Sequence, residues 1–461
     1  MPRSEPAPLS IWIVNPFDDI PGEGLPPLRF WSLCRVLAGR GHDVTWWTAS
    51  WSHRRKAART APLHVVDDEG FAVRLVAVRP YSRNVSLARL GSHRDFGRTF
   101  ERLANESIAA GQLERPDLIL ASLPPLEGPE ASLRVARRLD ATLVVDLMDV
   151  WPETFARLLP GPRWLRERLA PLLLGRMFAR RRTLLADADA VSSCAHAFLD
   201  TLAGEIPAEV PRHVCHHGAW LPEFPPPPRC IDEVPHDVPH DERHDERHDE
   251  RRDERRDDRH AGGGTAAAVG GPRPLECVYA GSLEAGQDLD TLVAAARLLS
   301  ERGVAATIHV AGTGRLQPQL EAAAAAAGSC RLRVHGLLDR GAYVKLLSGC
   351  DVGLVCVKPE SLVAMPYKAC DYAAAGLAIV NSLPGELATL VAEHRAGLPY
   401  AAGDAESLAA AIATLAGDRR TLLSMRQAAR RMAEAEFDRD KTFPRFAEWL
   451  EGISGGERGQ S

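Results

Sequence analysis

Short apolar runs alternate with longer helical patterns on both sides of a central tract that has almost nothing to bury. That alternation points to parallel βαβ units and an α/β fold, and away from an all-α bundle or a β-sandwich. Strands are expected near Leu9–Asn15, Asp43–Thr48, Val73–Val78, Asp117–Ser122, Thr142–Asp146 and His213–His216 in the first half. In the second half they are expected near Glu276–Ala280, Ala306–Ala311, Arg331–His335, Val352–Val357 and Ala378–Asn381. The dividing tract starts at Pro225–Pro228 and continues as a repeat of Asp-Glu-Arg-His from Asp241 to Arg259, with ten acids and seven arginines, ending in Gly262-Gly263-Gly264. Such a tract cannot build a core, so it reads as a linker, either a charge-paired helix or disordered chain. His240, His244 and His248 fall at helical spacing, but no ordered second shell is in prospect there and adventitious metal binding is the reading preferred. Four segments follow: 1–222, 223–274 as the linker, 275–435, and 436–461 as a C-terminal helix and tail.

Composition narrows the class. A chain of 461 residues, 45% apolar and 25% charged, is long enough for two or three buried cores. A net charge of −5 gives no basic field for nucleic acid. The nine cysteines include no Cys-x-x-Cys pair, against a zinc ribbon or disulfide scaffold and for a reduced compartment. No run reaches the ~18 apolar residues of a spanning helix and no signal pattern opens the chain, so a cytoplasmic protein is expected.

Met365-Pro366-Tyr367-Lys368-Ala369-Cys370-Asp371-Tyr372-Ala373-Ala374-Ala375-Gly376 reads as a short helix, with Pro366 in its first turn and Gly376 as the left-handed residue after its last. Lys368 and Asp371, three apart, share one face near the N-terminus, where backbone N–H groups favour an anion. The lysine can neutralise a diphosphate, and the carboxylate can accept from two ribose hydroxyls. A surface ion pair on an ordinary amphipathic helix fits the same spacing.

This run resembles the donor-site helix of family 4 glycosyltransferases, Pro-x-Lys-x-x-Glu-Tyr-x-Ala-x-Gly, with Asp371 where that family usually has Glu. Trp12–Phe17, Arg40–Thr45 and Asp146–Glu153 resemble blocks of its exopolysaccharide and O-antigen branch. The resemblance implies two doubly wound Rossmann-like domains facing across a cleft, the GT-B arrangement. It implies retaining transfer from a nucleotide sugar, with fixed positive groups and no metal or other cofactor. Two departures are visible: Val363 stands where the family's first acid belongs, and Gly281–Asp288 lacks the usual Arg and Lys.

Open α/β sheets bind ligands beyond the C-terminal ends of their strands. On that ground, and on the resemblance, Gly281, Gly312, Gly314 and Glu386 are expected to bind the donor beside Lys368 and Asp371, with Gly22 and Gly24 facing it across the cleft. Asp149 is expected to act with Lys368 in catalysis, and Asp146 less so. His217 is a candidate for the hinge. The stretch Arg163–Arg182 carries seven arginines and one acid among large apolar residues. A peripheral helix on an anionic membrane surface and a core-facing helix with a solvated basic face both fit, and Pro171 interrupts the pattern. Membrane contact would suit the lipid-linked glycan acceptors of the resembled branch, with Arg180, Arg181 and Arg182 expected to meet lipid phosphates. A sugar-nucleotide epimerase of the same architecture and a non-catalytic nucleotide-sugar-binding partner are the alternatives.

Overall fold

The computed structural model describes residues 7–23, 28–59, 64–66, 70–157, 161–228, 273–284, 286–326 and 328–455. Gly24 and the Asp-Glu-Arg-His tract lie outside the described residues.

Ten strands belong to the first half: β1 (Ser10–Val14), β2 (Asp43–Ala49), β3 (Trp51–Ser52), β4 (Ala57–Ala58), β5 (His64–Val66), β6 (Ala72–Val76), β7 (Leu118–Leu123), β8 (Thr142–Leu147), β9 (Ala190–Ser193) and β10 (Arg212–Val214). Eight of them form one sheet in the order β10-β9-β8-β7-β1-β2-β6-β5, parallel except for the β5–β6 edge pair, while β3 and β4 make a small hairpin. The central strands β1 and β7 are buried at every residue, as expected of strands covered by helices on both faces. Trp12, Trp47, Phe96 and Phe100 fill one face with ring contacts.

The second half holds β11 (Leu275–Ala280), β12 (Ala306–Ala311), β13 (Cys330–Gly336), β14 (Val352–Val355), β15 (Ala378–Asn381) and β16 (Gly397–Pro399). They form an all-parallel sheet ordered β13-β12-β11-β14-β15-β16. Both sheets reverse direction of growth at a central strand, so each domain is doubly wound and has a crevice at its switch point.

The eleven expected strands are all present within two residues at their N-terminal ends. Short β9 and β16, the hairpin β3–β4 and edge strand β5 were not expected. Ala-Val-Ser-Ser of β9 has two serines in a buried run, and hydropathy alone does not mark it. Pro171 does not break its helix, which runs unbroken over Arg163–Asp187.

The chain crosses between domains twice. At Gly218 (φ +63°) the backbone comes so close to the returning chain that a Cβ would lie 2.7 Å from the Phe437 carbonyl oxygen. Ala219 donates its N–H to that oxygen at 2.7 Å, and Arg439 donates back to Ala219 O at 3.2 Å. The helix Arg439–Gly455 then packs on the N-terminal domain, burying Phe443, Phe446 and Leu450 with Phe30 and Leu33. Glu451 pairs with Arg40 and His42 there.

Candidate active site

A cavity of ≈ 1440 Å³ lies between the two domains. Its C-terminal wall is made by Gly281 at the end of β11, Gly312 at the end of β12, and Tyr367, Lys368 and Asp371 of the helix Tyr367–Ala374. Pro366 is the residue before the first turn, and Gly376 is left-handed (φ +64°). Tyr372 fixes this helix against the sheet: its hydroxyl accepts the Ala280 N–H at 2.7 Å, and its ring packs where a Cβ on Gly353 would stand.

Lys368 and Asp371 share a face but do not pair with each other. The Lys368 ammonium sits 3.9 Å from the centre of the Tyr279 ring and 3.4 Å from Gln287 Oε1, beside Gly281. Among the described residues no carboxylate lies within ion-pair distance of it, and burial pulls its pKa down to about 8. A desolvated cation of this kind is a place for an anion. Asp371 instead accepts from Tyr343 Oη at 3.1 Å and faces Arg340 at 3.4 Å. Burial pushes its pKa up, against the nearby guanidinium groups of Arg340 and Arg439. Arg340 also reaches Glu223 of the N-terminal domain, Nε to Oε2 at 3.0 Å.

Glycines set the close approach of the loops. A Cβ on Gly312 (φ +138°) would overlap the Gly281 carbonyl oxygen. Gly314 does not line the cavity; a Cβ there would meet the Leu283 backbone at 2.5 Å, so it serves loop packing.

Several residues named from sequence stand elsewhere. Gly22 takes a left-handed turn (φ +82°) but is not on the cavity wall. Glu386 does not line the cavity either: it joins the domains by accepting from His216 Nε2 at 2.7 Å, with the Ala197 N–H at 3.4 Å. His196, His216 and Glu386 bring ligand-type atoms within 4.8 Å of one another at this junction. The Asp149 carboxylate is also off the wall, since it accepts from its neighbour Val150 N at 2.7 Å and from Thr154 Oγ1 at 3.2 Å, starting the helix Glu153–Arg157. Burial raises its pKa. Asp146 is fully buried in an ion pair with Arg29 at 2.8 Å and holds the sheet interior together. His217 does sit at the domain junction, stacked 3.7 Å from Tyr367.

Sequence reasoning set aside the Asp18-Asp19 pair as a metal motif and missed His53, Lys56 and Asn84, all of which stand on the N-terminal wall. Burial lifts the Asp18 pKa to about 6, and Asp19 is buried with Oδ1 lacking a hydrogen-bond partner among the described residues. The Arg54-Arg55-Lys56 run was the available signal, and it reads as ordinary solvated charge.

Residues 274–418 match the family model "Glycosyl transferases group 1". The C-terminal domain is a group 1 glycosyltransferase domain. No curated protein sequence matches the chain. Solved structures with the same fold include sucrose-phosphate synthase from Thermosynechococcus elongatus, at 13% identity and TM-score 0.68, covering 96% of this chain and 99% of that one. HepE from Anabaena, in complex with UDP and glucose, is 15% identical with TM-score 0.60, covering 96% and 100%. A glycosyltransferase from Rickettsia africae is 11% identical with TM-score 0.59, covering 98% and 100%. The group 1 match covers the C-terminal domain, and the chain as a whole shares the two-Rossmann-domain GT-B fold of these structures.

Proposed function

We propose that the chain transfers a sugar, with retention and without a metal, from a nucleotide sugar to a lipid-linked glycan acceptor in surface polysaccharide biosynthesis. The observation that carries the donor half is the desolvated Lys368 ammonium beside Gly281, without an ion-pair partner among the described residues and one helical turn from the Asp371 carboxylate. Negative charge grows on the departing diphosphate as the sugar takes on oxocarbenium character, and a fixed cation there favours that state over the ground state. Asp371 then takes the ribose hydroxyls, exchanging its contacts with Arg340 and Tyr343. HepE was solved with UDP and with UDP-glucose, which makes UDP the first nucleotide to try.

The acceptor half draws on the helix Arg163–Asp187. Trp164, Leu172 and Leu173 are 60%, 80% and 63% exposed on it, with Arg168 and Arg176 exposed alongside. Such a face suits the headgroup layer of an anionic membrane, where a peripheral cytoplasmic enzyme meets a lipid-linked substrate. Among the described residues no helix is long and apolar enough to cross a membrane. Two of the three arginines named from sequence are engaged elsewhere: Arg180 pairs with Glu130 and Glu127, and Arg181 is buried between Glu153 and Glu205, while Arg182 is exposed.

The deciding experiment incubates the protein with labelled nucleotide sugars, with and without bacterial membranes. Label moving into the lipid fraction only when membranes are present supports the reading. Epimerised nucleotide sugar formed without acceptor replaces it with the isomerase, and nucleotide binding without any sugar release replaces it with the non-catalytic partner that Val363 and the Gly281–Asp288 loop would suit.

A further inference from the structure

Lys56 on the N-terminal wall of the cavity and Arg89 beside it are two cations without an ion-pair partner among the described residues. Lys56, at a left-handed backbone position (φ +53°), donates to Asn84 Oδ1 at 2.6 Å. Arg89 donates to the backbone oxygen of the same Asn84 at 2.7 Å, so one residue holds both side chains together. Among the described residues neither makes an ion pair; Asp149 is the acid whose charge Arg89 feels. Their remaining partners are neutral or aromatic. The Lys56 ammonium stands 5.0 Å from the centre of the Tyr81 ring and 3.3 Å from His53 Nδ1. The Arg89 guanidinium lies 5.3 Å from the Phe17 ring centre and 5.5 Å from that of Trp151.

His93 backs Arg89 from behind. Arg89 Nε donates to His93 Nε2 at 3.3 Å, so the neutral imidazole carries its proton on Nδ1. That Nδ1 has no partner among the described residues, although the His93 ring is only 3% exposed. Burial, with the Arg89 charge behind it, pulls the His93 pKa down to about 3, so the ring stays neutral. Two like charges held together by one residue are costly unless an anion joins them. Beside Asn84, Val85 is 61% and Leu87 86% exposed, giving the polar group an apolar rim.

We propose that Lys56 and Arg89 bind the diphosphate of an amphiphilic acceptor, with Val85 and Leu87 against the start of its hydrocarbon chain. The inference rests on the lipid-linked acceptor of the proposed function and assigns that acceptor a phosphate subsite separate from the donor diphosphate at Lys368.

Calorimetric titration of the full-length protein with inorganic pyrophosphate and with farnesyl diphosphate tests it. The wild type and Lys368→Met should both bind farnesyl diphosphate, and Lys56→Met with Arg89→Gln should weaken it at least tenfold while leaving nucleoside diphosphate affinity unchanged. Should that double variant fail to fold, judged by its thermal transition, Lys56→Met alone is to lower affinity several-fold. Farnesyl diphosphate should bind more tightly than pyrophosphate, and Val85→Ser with Leu87→Ser should remove the difference. Undiminished farnesyl diphosphate binding in the Lys56 and Arg89 variants, or equal affinity for the two probes, overturns the proposal. A wild type that binds no nucleoside diphosphate overturns the donor reading and leaves this subsite standing.

Discussion

Lys368 and Asp371 solve different electrostatic problems although one helical turn separates them. Lys368 is a cation held without a counter-ion among the described residues, its pKa down to about 8 through burial. A bound diphosphate restores the charged form, so binding above pH 8 must draw in a proton. Nucleoside diphosphate affinity should be flat below about pH 7.5 and fall roughly tenfold per unit above 8, with proton uptake visible as a buffer-dependent heat; a flat profile to pH 9.5 removes Lys368 from the diphosphate site. For the free protein the sign is opposite. Unfolded lysine keeps its proton to about 10.4, so this residue adds stability as pH rises from 8 to that value. Asp371 already has donors in Tyr343 and Arg340. Asp371→Asn should weaken nucleoside diphosphate binding by about 1.5–3 kcal/mol, the range for hydrogen bonds to a charged group; unchanged affinity in a titration would show that the ribose goes elsewhere.

At the scale of elements, the helix Arg163–Asp187 separates what sequence can convey from what it cannot. Its basic and apolar composition was plain, but which arginines are free depends on acids from three other segments. Arg181 is buried, with Glu205 at 2.6 Å and Glu153 at 2.9 Å from its Nη2. Arg181→Ala would leave two carboxylates facing each other and should cost about 3–5 kcal/mol, the range for breaking a buried pair, measured by urea unfolding; a loss below 1 kcal/mol would mean that the pair is effectively solvated. The same distinction runs through the site. The places of Lys368, Asp371, Gly281 and Gly312 on the cavity wall were legible because a Pro-to-Gly helix and strand-end glycines are local patterns. Asp149 and Glu386 were legible as carboxylates near strand ends, but not their orientation, because Thr154 and His216 capture them. Lys56 and Arg89 were not legible at all, since they are 33 residues apart and meet only through Asn84.

For the whole molecule, the C-terminal helix is the piece that makes two domains one folding unit. It follows the glycosyltransferase domain in sequence, yet its apolar face belongs to the core of the other domain, where Phe443, Phe446 and Leu450 are essentially inaccessible. Burying a large apolar side chain is worth about 1.5–3 kcal/mol, so these three together contribute on the order of 5 kcal/mol or more to the N-terminal domain. The crossing at Ala219 and Phe437, the Glu223–Arg340 pair and the His216–Glu386 bond place further contacts on the same junction. A chain ending at Asp438 should therefore lose stability mainly in the domain it does not belong to by sequence. Calorimetry should show the single transition of the full chain resolve into two, with the N-terminal domain unfolding at the lower temperature and the C-terminal domain, with its Lys368 site, still binding nucleoside diphosphate. A truncated chain that keeps one transition at the original midpoint would show that the helix merely rests on the N-terminal domain and that the junction is held elsewhere.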